Sequence, residues 1–181
     1  MPASSPARRG AHVADWPDFR PSQILAELAA GGVEFVVIGG YAAIAHGSPR
    51  LTNDLDISYS PEPANLEVLG RVLVALDARL RGVDDVPFVP DARALRQVEL
   101  LTLDTRHGPL DLLTAPGGGP GWAALRSDAI EVMLDGITVP IASLDHLRAM
   151  KRAAGRPQDL LDIDELDAIE RLSEDSQLRG S

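Results

Sequence analysis

The segment VVIGGYAAIAHGSPRLTNDLDIS, residues 36–58, decides the fold. It begins inside the β-branched, apolar run 33–38, which is typical of a buried strand. Gly39 and Gly40 end that strand and open a short predicted helix over 41–47. Glycines let a backbone approach a phosphate closely, and a helix N-terminus offers free N–H donors. Such turns also arise from packing alone, so the turn by itself does not assign a function.

Two aspartates give the segment its chemical interest. Asp54 and Asp56 follow Gly40 on a predicted strand over 54–59, at alternate positions that face the same side. Adjacent carboxylates repel each other unless a proton or a cation lies between them, and Mg²⁺ prefers oxygen ligands. On their own, Asp54 and Asp56 are also consistent with two solvated side chains at the start of a strand. A phosphate-binding turn beside paired carboxylates, however, is the arrangement that metal-assisted nucleotidyl transfer requires.

Hydrophobic periodicity predicts an α+β fold, a mixed β-sheet flanked by helices with a helical C-terminal part. The predicted helices cover 22–31, 63–80, 143–154 and 157–173, and further strands cover 97–104, 109–114, 130–134 and 137–141. The expected organisation is a disordered leader at 1–14, a catalytic core at 15–115, C-terminal strands and helices at 116–173 and a tail at 174–181. The APGGGPG stretch, 115–121, is either a flexible linker or a tight loop.

Composition excludes several classes of protein. The 181 residues include no cysteine, and the four histidines show no metal-ligand spacing. A net charge of −10 and 4% aromatic residues are unfavourable for a simple nucleic-acid binder. No apolar run approaches the ~18 residues of a membrane span. We therefore expect a soluble, cytoplasmic protein.

Lys151 is the only lysine among 17 basic residues. It continues the apolar stripe of Leu144 and Leu147 along the helix predicted over 143–154, and an inward lysine is costly unless it meets carboxylates or phosphates. The alternative is that its stem follows the stripe and its amine reaches water. The surrounding stretch 148–156 contains four basic residues and no acid.

These features resemble the DNA polymerase β-type nucleotidyltransferase superfamily. Its signature is a Gly-Gly or Gly-Ser turn, then Asp-x-Asp or Asp-x-Glu on a strand, with a third carboxylate on a later strand. Gly39, Gly40, Asp54 and Asp56 occupy the first positions. Asp111, in GPLDLLT, is the best candidate for the third carboxylate. The resemblance implies a nucleotidyltransferase fold.

Within the superfamily, the chain looks most like the AbiEii/MenT-like nucleotidyltransferase toxins of toxin–antitoxin systems. Arg50 and Thr52 match the Arg-x-Thr-x-Asp-x-Asp run of that group. The stretch SLDHLRAMKRAAGRPQDLLDIDEL matches its second motif, in which Lys151, Arg156 and Asp159 become site candidates.

The resemblance implies transfer of a nucleoside monophosphate from an NTP, with release of pyrophosphate. Two Mg²⁺ ions are expected on Asp54, Asp56 and Asp111, and Asp111 is also a candidate general base. The implied acceptor is the 3′ end of tRNA, with arrest of translation and a cognate antitoxin protein as partner. The stretch 148–156 is then the expected place for RNA to approach. Lys151 is expected to be catalytic together with the three aspartates. The expected nucleotide contacts are Gly39, Gly40, Arg50, Thr52, Arg156 and Asp159.

Two alternatives remain open from the sequence. The acceptor is a small molecule or a protein hydroxyl, which the acidic charge favours, or the chain is a non-catalytic member of the fold.

Overall fold

The computed structural model describes residues 19–83, 88–114 and 119–179, with side chains described to residue 172. The helices α1–α7 of this part are Pro21–Ala30, Gly39–Ala45, Pro63–Ala75, Ala92–Gln97, Trp122–Ser127, Leu144–Ala154 and Pro157–Arg179. The strands β1–β7 are Phe35–Ile38, Leu55–Tyr59, Arg79–Leu80, Leu100–Thr105, Gly108–Leu113, Ile130–Leu134 and Ile137–Ile141. The predicted leader, 1–14, and residues 115–118 of the predicted loop lie outside the described residues.

The seven strands form one mixed sheet in the order β3-β4-β5-β2-β1-β7-β6. The pairs β2–β5 and β1–β7 are parallel, and the other neighbours are antiparallel. The predicted α+β class is confirmed, as is the predicted hairpin, which is formed by β4 and β5. The sheet continues into the C-terminal part because β7 pairs with β1.

Alternation along the central strands separates the core from a polar face. Leu55, Ile57 and Leu110 are fully buried and belong to the core cluster that also contains apolar side chains of α1 and α3. Asp56 and Asp111 occupy the intervening positions and remain partly exposed. Since successive strand residues face opposite sides, packing of the leucine and isoleucine side chains fixes where these carboxylates point.

The predicted helix over 63–80 is too long. It ends at Ala75, because Asp77 adopts a left-handed conformation with φ of 53° and the chain reverses into β3. Aspartate tolerates this conformation better than most residues, but the sequence carries no glycine there to announce the turn. Residues 79–80 then pair with β4 at the edge of the sheet.

Two short helices, α4 and α5, were not predicted. The first is capped by Asp91, whose side chain accepts a 2.7 Å hydrogen bond from the Ala94 N–H, and it delays β4 to residue 100. The second buries Leu125. Six residues provide too little periodicity to identify a helix from sequence.

The C-terminal helices form as predicted at their facing ends. Ser143 caps α6 by accepting from the His146 N–H, Gly155 ends it with φ of 63°, and Pro157 begins α7. The second helix continues to Arg179, beyond its predicted end near residue 173.

A buried arginine joins these two helices. Arg148 on α6 is only 4% exposed, and its guanidinium binds Asp167 and Glu170 of α7, at 2.7 and 2.6 Å, and Asp145 of its own helix, at 3.1 Å. A buried cation needs such partners to offset its lost hydration. Arg148 therefore fixes α7 against α6. None of the described helices has the length and apolar composition to cross a membrane.

We predict that Arg148→Ala lowers the free energy of unfolding by about 2–4 kcal/mol, because it leaves three clustered carboxylates without their cation. The matched control is Arg152→Ala on the same helix, where the side chain is exposed; its cost should stay below about 0.5 kcal/mol. Urea denaturation followed by circular dichroism measures both. Equal losses of unfolding free energy in the two variants would contradict the role of Arg148 in fixing α7 against α6.

Candidate active site

A cleft of about 480 Å³ opens on the polar face of the sheet. Its floor is formed by residues of β2 and β5 and by the start of α2. Its walls are formed by the loop 48–54, α6 and α7. Every site residue predicted from sequence lines this cleft: Gly39, Gly40, Arg50, Thr52, Asp54, Asp56, Asp111, Lys151, Arg156 and Asp159. Segments more than a hundred residues apart in sequence are thus brought together.

Three carboxylates lie at the floor of the cleft. Asp56 and Asp111 are directly paired in the parallel ladder between β2 and β5, so their side chains leave the sheet on the same side. Asp54 immediately precedes β2. One oxygen from each of the three carboxylates lies within 4.8 Å of the other two. Hard divalent cations such as Mg²⁺ bind oxygen clusters of this kind, and the group therefore fits a metal site.

The electrostatics of the cluster show the cost of this proximity. Burial, with the negative charges of Asp54 and Asp111 added, raises the pKa of Asp56 to about 7. The positive charge of Lys151 and a hydrogen bond from the Gly40 N–H oppose that rise. Burial also raises the pKa of Asp111. Both pKa values rise because burial disfavours the charged carboxylates and the protein supplies too little positive charge to compensate them.

The glycine turn makes room for one of these carboxylates. Gly39 begins α2 with φ of 65°, and a Cβ at this position would lie 2.7 Å from Cγ of Asp56. A Cβ on Gly40 would lie 2.8 Å from the hydroxyl oxygen of Thr52. The two glycines thus let Asp56 and Thr52 approach the helix start. The predicted contact of Gly39 and Gly40 with phosphates stays a prediction.

Thr52 orients the first aspartate. Its hydroxyl donates a 2.8 Å hydrogen bond to Oδ1 of Asp54. The predicted nucleotide-binding role of Thr52 is untested, but the geometry places it against a candidate metal ligand.

Lys151 and Arg50 provide positive charge on the opposite wall of the cleft. Lys151 is partly buried, and its Nζ contacts Asp162 and lies 3.5 Å from Oδ1 of Asp159. Arg50, on the loop before β2, pairs with the other oxygen of Asp162. Lys151 points inward, as expected, but its direct partners come from α7. Its positive charge acts on Asp56 without a direct contact and opposes the rise in the pKa of that carboxyl.

Arg156 and Asp159 form a pair at the start of α7. The guanidinium donates to Asp159 from Nε, at 2.9 Å, and from Nη2, at 3.2 Å, and the Arg156 N–H adds a third bond at 2.9 Å. Hydrogen bonding to Arg156 lowers the pKa of the Asp159 carboxyl, which is buried. Asp159 therefore holds Arg156 and Lys151 at the edge of the cleft.

Three cleft contacts were not predicted. Asp162 bridges two cations, but in sequence it is one of six acids over 159–170 and cannot be distinguished from the others. Glu165 accepts a hydrogen bond from the Ser48 hydroxyl. Arg81 lies 2.8 Å from Oδ1 of Asp111 and is itself held by Asp104. It was missed because the reversal that places it, at β3, was predicted as helix.

Most of the positive charge in the stretch 148–156 is paired with acids. Arg148 is buried among three acids, and Lys151 and Arg156 are paired with acids of α7. Among the described residues, Arg152 is the one basic side chain of this stretch without an ion pair. The acidic run 159–170 folds back onto this stretch and offsets much of its charge, and the expected approach of RNA here stays a prediction.

The sequence matches no protein-family model and no curated protein. Solved structures do match. The crystal structure of ANT(2″)-Ia in complex with adenylyl-2″-tobramycin has a TM-score of 0.52 at 14% identity, covering 89% of this chain and 97% of the other. The lincomycin-bound crystal structure of the lincosamide antibiotic adenylyltransferase LnuA has a TM-score of 0.54 at 16% identity, covering 82% and 95%.

A solution structure of the antibiotic-resistance factor ANT(2″)-Ia gives the same result, with a TM-score of 0.51 at 14% identity and coverage of 88% and 91%. At these identities the likeness concerns the fold. The chain has the nucleotidyltransferase fold that its glycine turn and paired aspartates predicted.

Proposed function

We propose that this protein is a metal-dependent nucleotidyltransferase, which transfers a nucleoside monophosphate from an NTP to a hydroxyl acceptor. One observation carries the proposal: three clustered carboxylates face Lys151 and Arg50 across a single cleft in a nucleotidyltransferase fold. Carboxylates suit metal binding, and the cations suit a triphosphate.

Asp54, Asp56 and Asp111 would hold Mg²⁺, with two ions expected. Metal bound there would neutralise phosphate charge and lower the pKa of the acceptor hydroxyl. The protein's own contribution is orientation: Thr52 fixes Asp54, the Gly40 N–H binds Asp56, and Arg81 contacts Asp111. Ligands held in place by neighbouring groups lose less freedom when the ion binds.

The phosphates would lie between the glycine turn and the cations. Gly39 and Gly40 line the cleft at the start of α2, while Arg50, Lys151 and Arg156 would provide positive charge as the pyrophosphate departs. In the reaction, the acceptor oxygen bonds to the α-phosphorus and the bond from that phosphorus to the α,β-bridging oxygen breaks. The hydroxyl proton passes to Asp111, and pyrophosphate leaves with the electron pair.

The charge of the cleft favours a small acceptor that is neutral or cationic. The described side chains that line the cleft include three bases and six acids. The bases are Arg50, Lys151 and Arg156, and the acids are Asp54, Asp56, Asp111, Asp159, Asp162 and Glu165. This excess of acid repels a polyanion. Leu100 and Leu113, beside Asp111, add an apolar surface. Two proteins of similar fold are bound to an adenylylated tobramycin and to lincomycin, which agrees with an acceptor of this size.

The 3′ end of tRNA is the second candidate acceptor. It is favoured by the match of Arg50, Thr52, Lys151, Arg156 and Asp159 to the toxin motifs, since all five line the same cleft. This candidate makes the protein the toxin of a toxin–antitoxin pair and implies a cognate antitoxin. Because the stretch 148–156 is largely neutralised, RNA would have to approach by another surface.

We predict that Asp54→Ala and Asp56→Ala each reduce nucleotidyl transfer about 10³-fold or more, because each removes a metal ligand and the transition-state stabilisation that depends on it. The assay supplies one α-labelled NTP at a time with Mg²⁺. Asp164→Ala, at an exposed acid of α7, is the matched control. Absence of transfer from wild type to every acceptor would support the non-catalytic alternative.

The choice of acceptor is tested in the same assay with tobramycin, lincomycin, total tRNA and the protein itself. We expect the label on a small hydroxyl compound, because the cleft is acidic. Label on the tRNA band alone would reject this choice and support the toxin hypothesis. The chemistry proposed for the carboxylates would survive that outcome.

We predict that Mg²⁺ binds about tenfold more tightly at pH 8 than at pH 6, because it requires ionised Asp56, whose pKa is about 7. Calorimetry in two buffers of different ionisation enthalpy should also detect proton release. The control is Asp56→Asn, in which the pH dependence should be largely lost. Affinity that is independent of pH in wild type would contradict the assignment.

The same titration predicts a change in stability. The folded pKa of Asp56, about 7, exceeds the ordinary value of 3.8, so its contribution to the metal-free fold falls as pH rises from about 4 through 7. Asp56→Asn should therefore raise the melting temperature of metal-free protein at pH 8 and change it little at pH 4. A lower melting temperature at pH 8 would show that ionised Asp56 stabilises the fold.

A further inference from the structure

One carboxylate in the cleft binds two cations that come from different parts of the chain. Asp162 uses Oδ1 for the guanidinium of Arg50 and Oδ2 for the amine of Lys151. Arg50 lies on the loop before β2, Lys151 on α6 and Asp162 on α7. Without a shared anion, the two positive groups would repel each other across this wall of the cleft.

The surroundings make Asp162 a fixed point. Its side chain is 11% exposed. It lies on α7, which the ion pairs of Arg148 hold against α6. Arg50, by contrast, is 45% exposed and belongs to a segment without helix or strand. The order of this long, flexible side chain therefore depends on Asp162. Immobilising such side chains during ligand binding costs affinity, and a contact that has already ordered them removes part of that cost.

The cations keep donors free for a ligand. An arginine has five N–H donors and a lysine has three. In the described structure, the Arg50 side chain has one ion-pair partner, Asp162, and the Lys151 amine has two, Asp162 and Asp159. Both side chains line the cleft. A triphosphate can thus be bound while Asp162 stays in place.

We propose that Asp162 is a positioning residue, which holds Arg50 and Lys151 together as one preformed binding element for the triphosphate of the NTP. The inference rests on the proposed function, since it assumes a triphosphate in this cleft. Asp162 itself does not contact the reacting atoms. It acts through the two cations.

A competing role for Asp162 predicts the opposite sign. If its carboxylate merely occupied the cations and added negative charge, its removal would strengthen phosphate binding. If it positions them, its removal weakens binding although the site becomes more positive. The direction of the change in Asp162→Asn therefore distinguishes the two roles.

The first test measures binding of inorganic tripolyphosphate with Mg²⁺ by calorimetry, which requires no knowledge of the base or acceptor. We expect Asp162→Asn to bind about 10- to 100-fold more weakly than wild type, because the ligand must then order Arg50, and Lys151 keeps only its longer contact with Asp159. Asp164→Asn, the same charge change at an exposed position of α7, should bind as wild type does. Unchanged or tighter binding by Asp162→Asn would overturn the inference.

Kinetics with the acceptor found above provide the second test. We expect Asp162→Asn to raise KM for the NTP about 10- to 100-fold, with KM for the acceptor unchanged and partial rescue by Asp162→Glu. A variant that is only partly folded would instead lower kcat with both KM values unchanged, and that result would overturn the positioning role. Near-ultraviolet circular dichroism checks folding, and Asp162→Glu supplies a second variant if Asp162→Asn does not fold.

The two proposals fail in different ways. If wild type binds Mg²⁺–tripolyphosphate and transfers nucleotide, but Asp162→Asn does both equally well, the positioning role alone is wrong. If wild type neither binds the probe nor transfers nucleotide, the proposed function is wrong and the inference falls with it.

Discussion

Three carboxylates, from Asp54, Asp56 and Asp111, are held within 4.8 Å of one another, and the parallel ladder between β2 and β5 fixes two of them. Their repulsion is built into the fold, because packing of Leu55 and Ile57 on the other face prevents the strand from turning Asp56 away. The fold tolerates this cost through the hydrogen bond from the Gly40 N–H, the contact with Arg81 and the positive charge of Lys151. A site that is costly without a ligand is one in which a cation gains most on binding.

The opposite wall of the cleft depends on a different part of the chain. Arg148 binds α7 to α6, which places Asp159 and Asp162 beside Lys151. The acids of α7 therefore have two roles: some hold the helix pair together, and others hold the cations of the cleft. The acidic run and the basic stretch that precedes it, which look like separate surfaces in sequence, are two halves of one ion-pair network.

The sequence predicted the residues of the candidate site better than the contacts that surround them. The glycine turn and paired aspartates could be found because the function proposed for them requires fixed spacing within one segment. Lys151 could be found because helical periodicity placed it on an apolar stripe. Arg81 and Asp162 could not be found, since their roles arise from a chain reversal at Asp77 and from the packing of two helices. The ion pairs of the stretch 148–156 could not be predicted for a related reason: charge counted along a sequence does not show which acids fold against it.

The acidity of the cleft, which opposes phosphate binding, also determines how such binding would occur. Described side chains leave the lining with more acids than bases, and Asp162 already offsets part of the charge of Arg50 and Lys151. A free triphosphate would enter a negative field, whereas divalent cations on the three carboxylates would reverse that field locally. Metal and nucleotide would then each lower the electrostatic cost of binding the other, and by linkage this effect is reciprocal. The same excess of acid would disfavour an anionic acceptor, so one feature of the cleft would select both the metal-bound form of the nucleotide and the charge of the molecule that receives it.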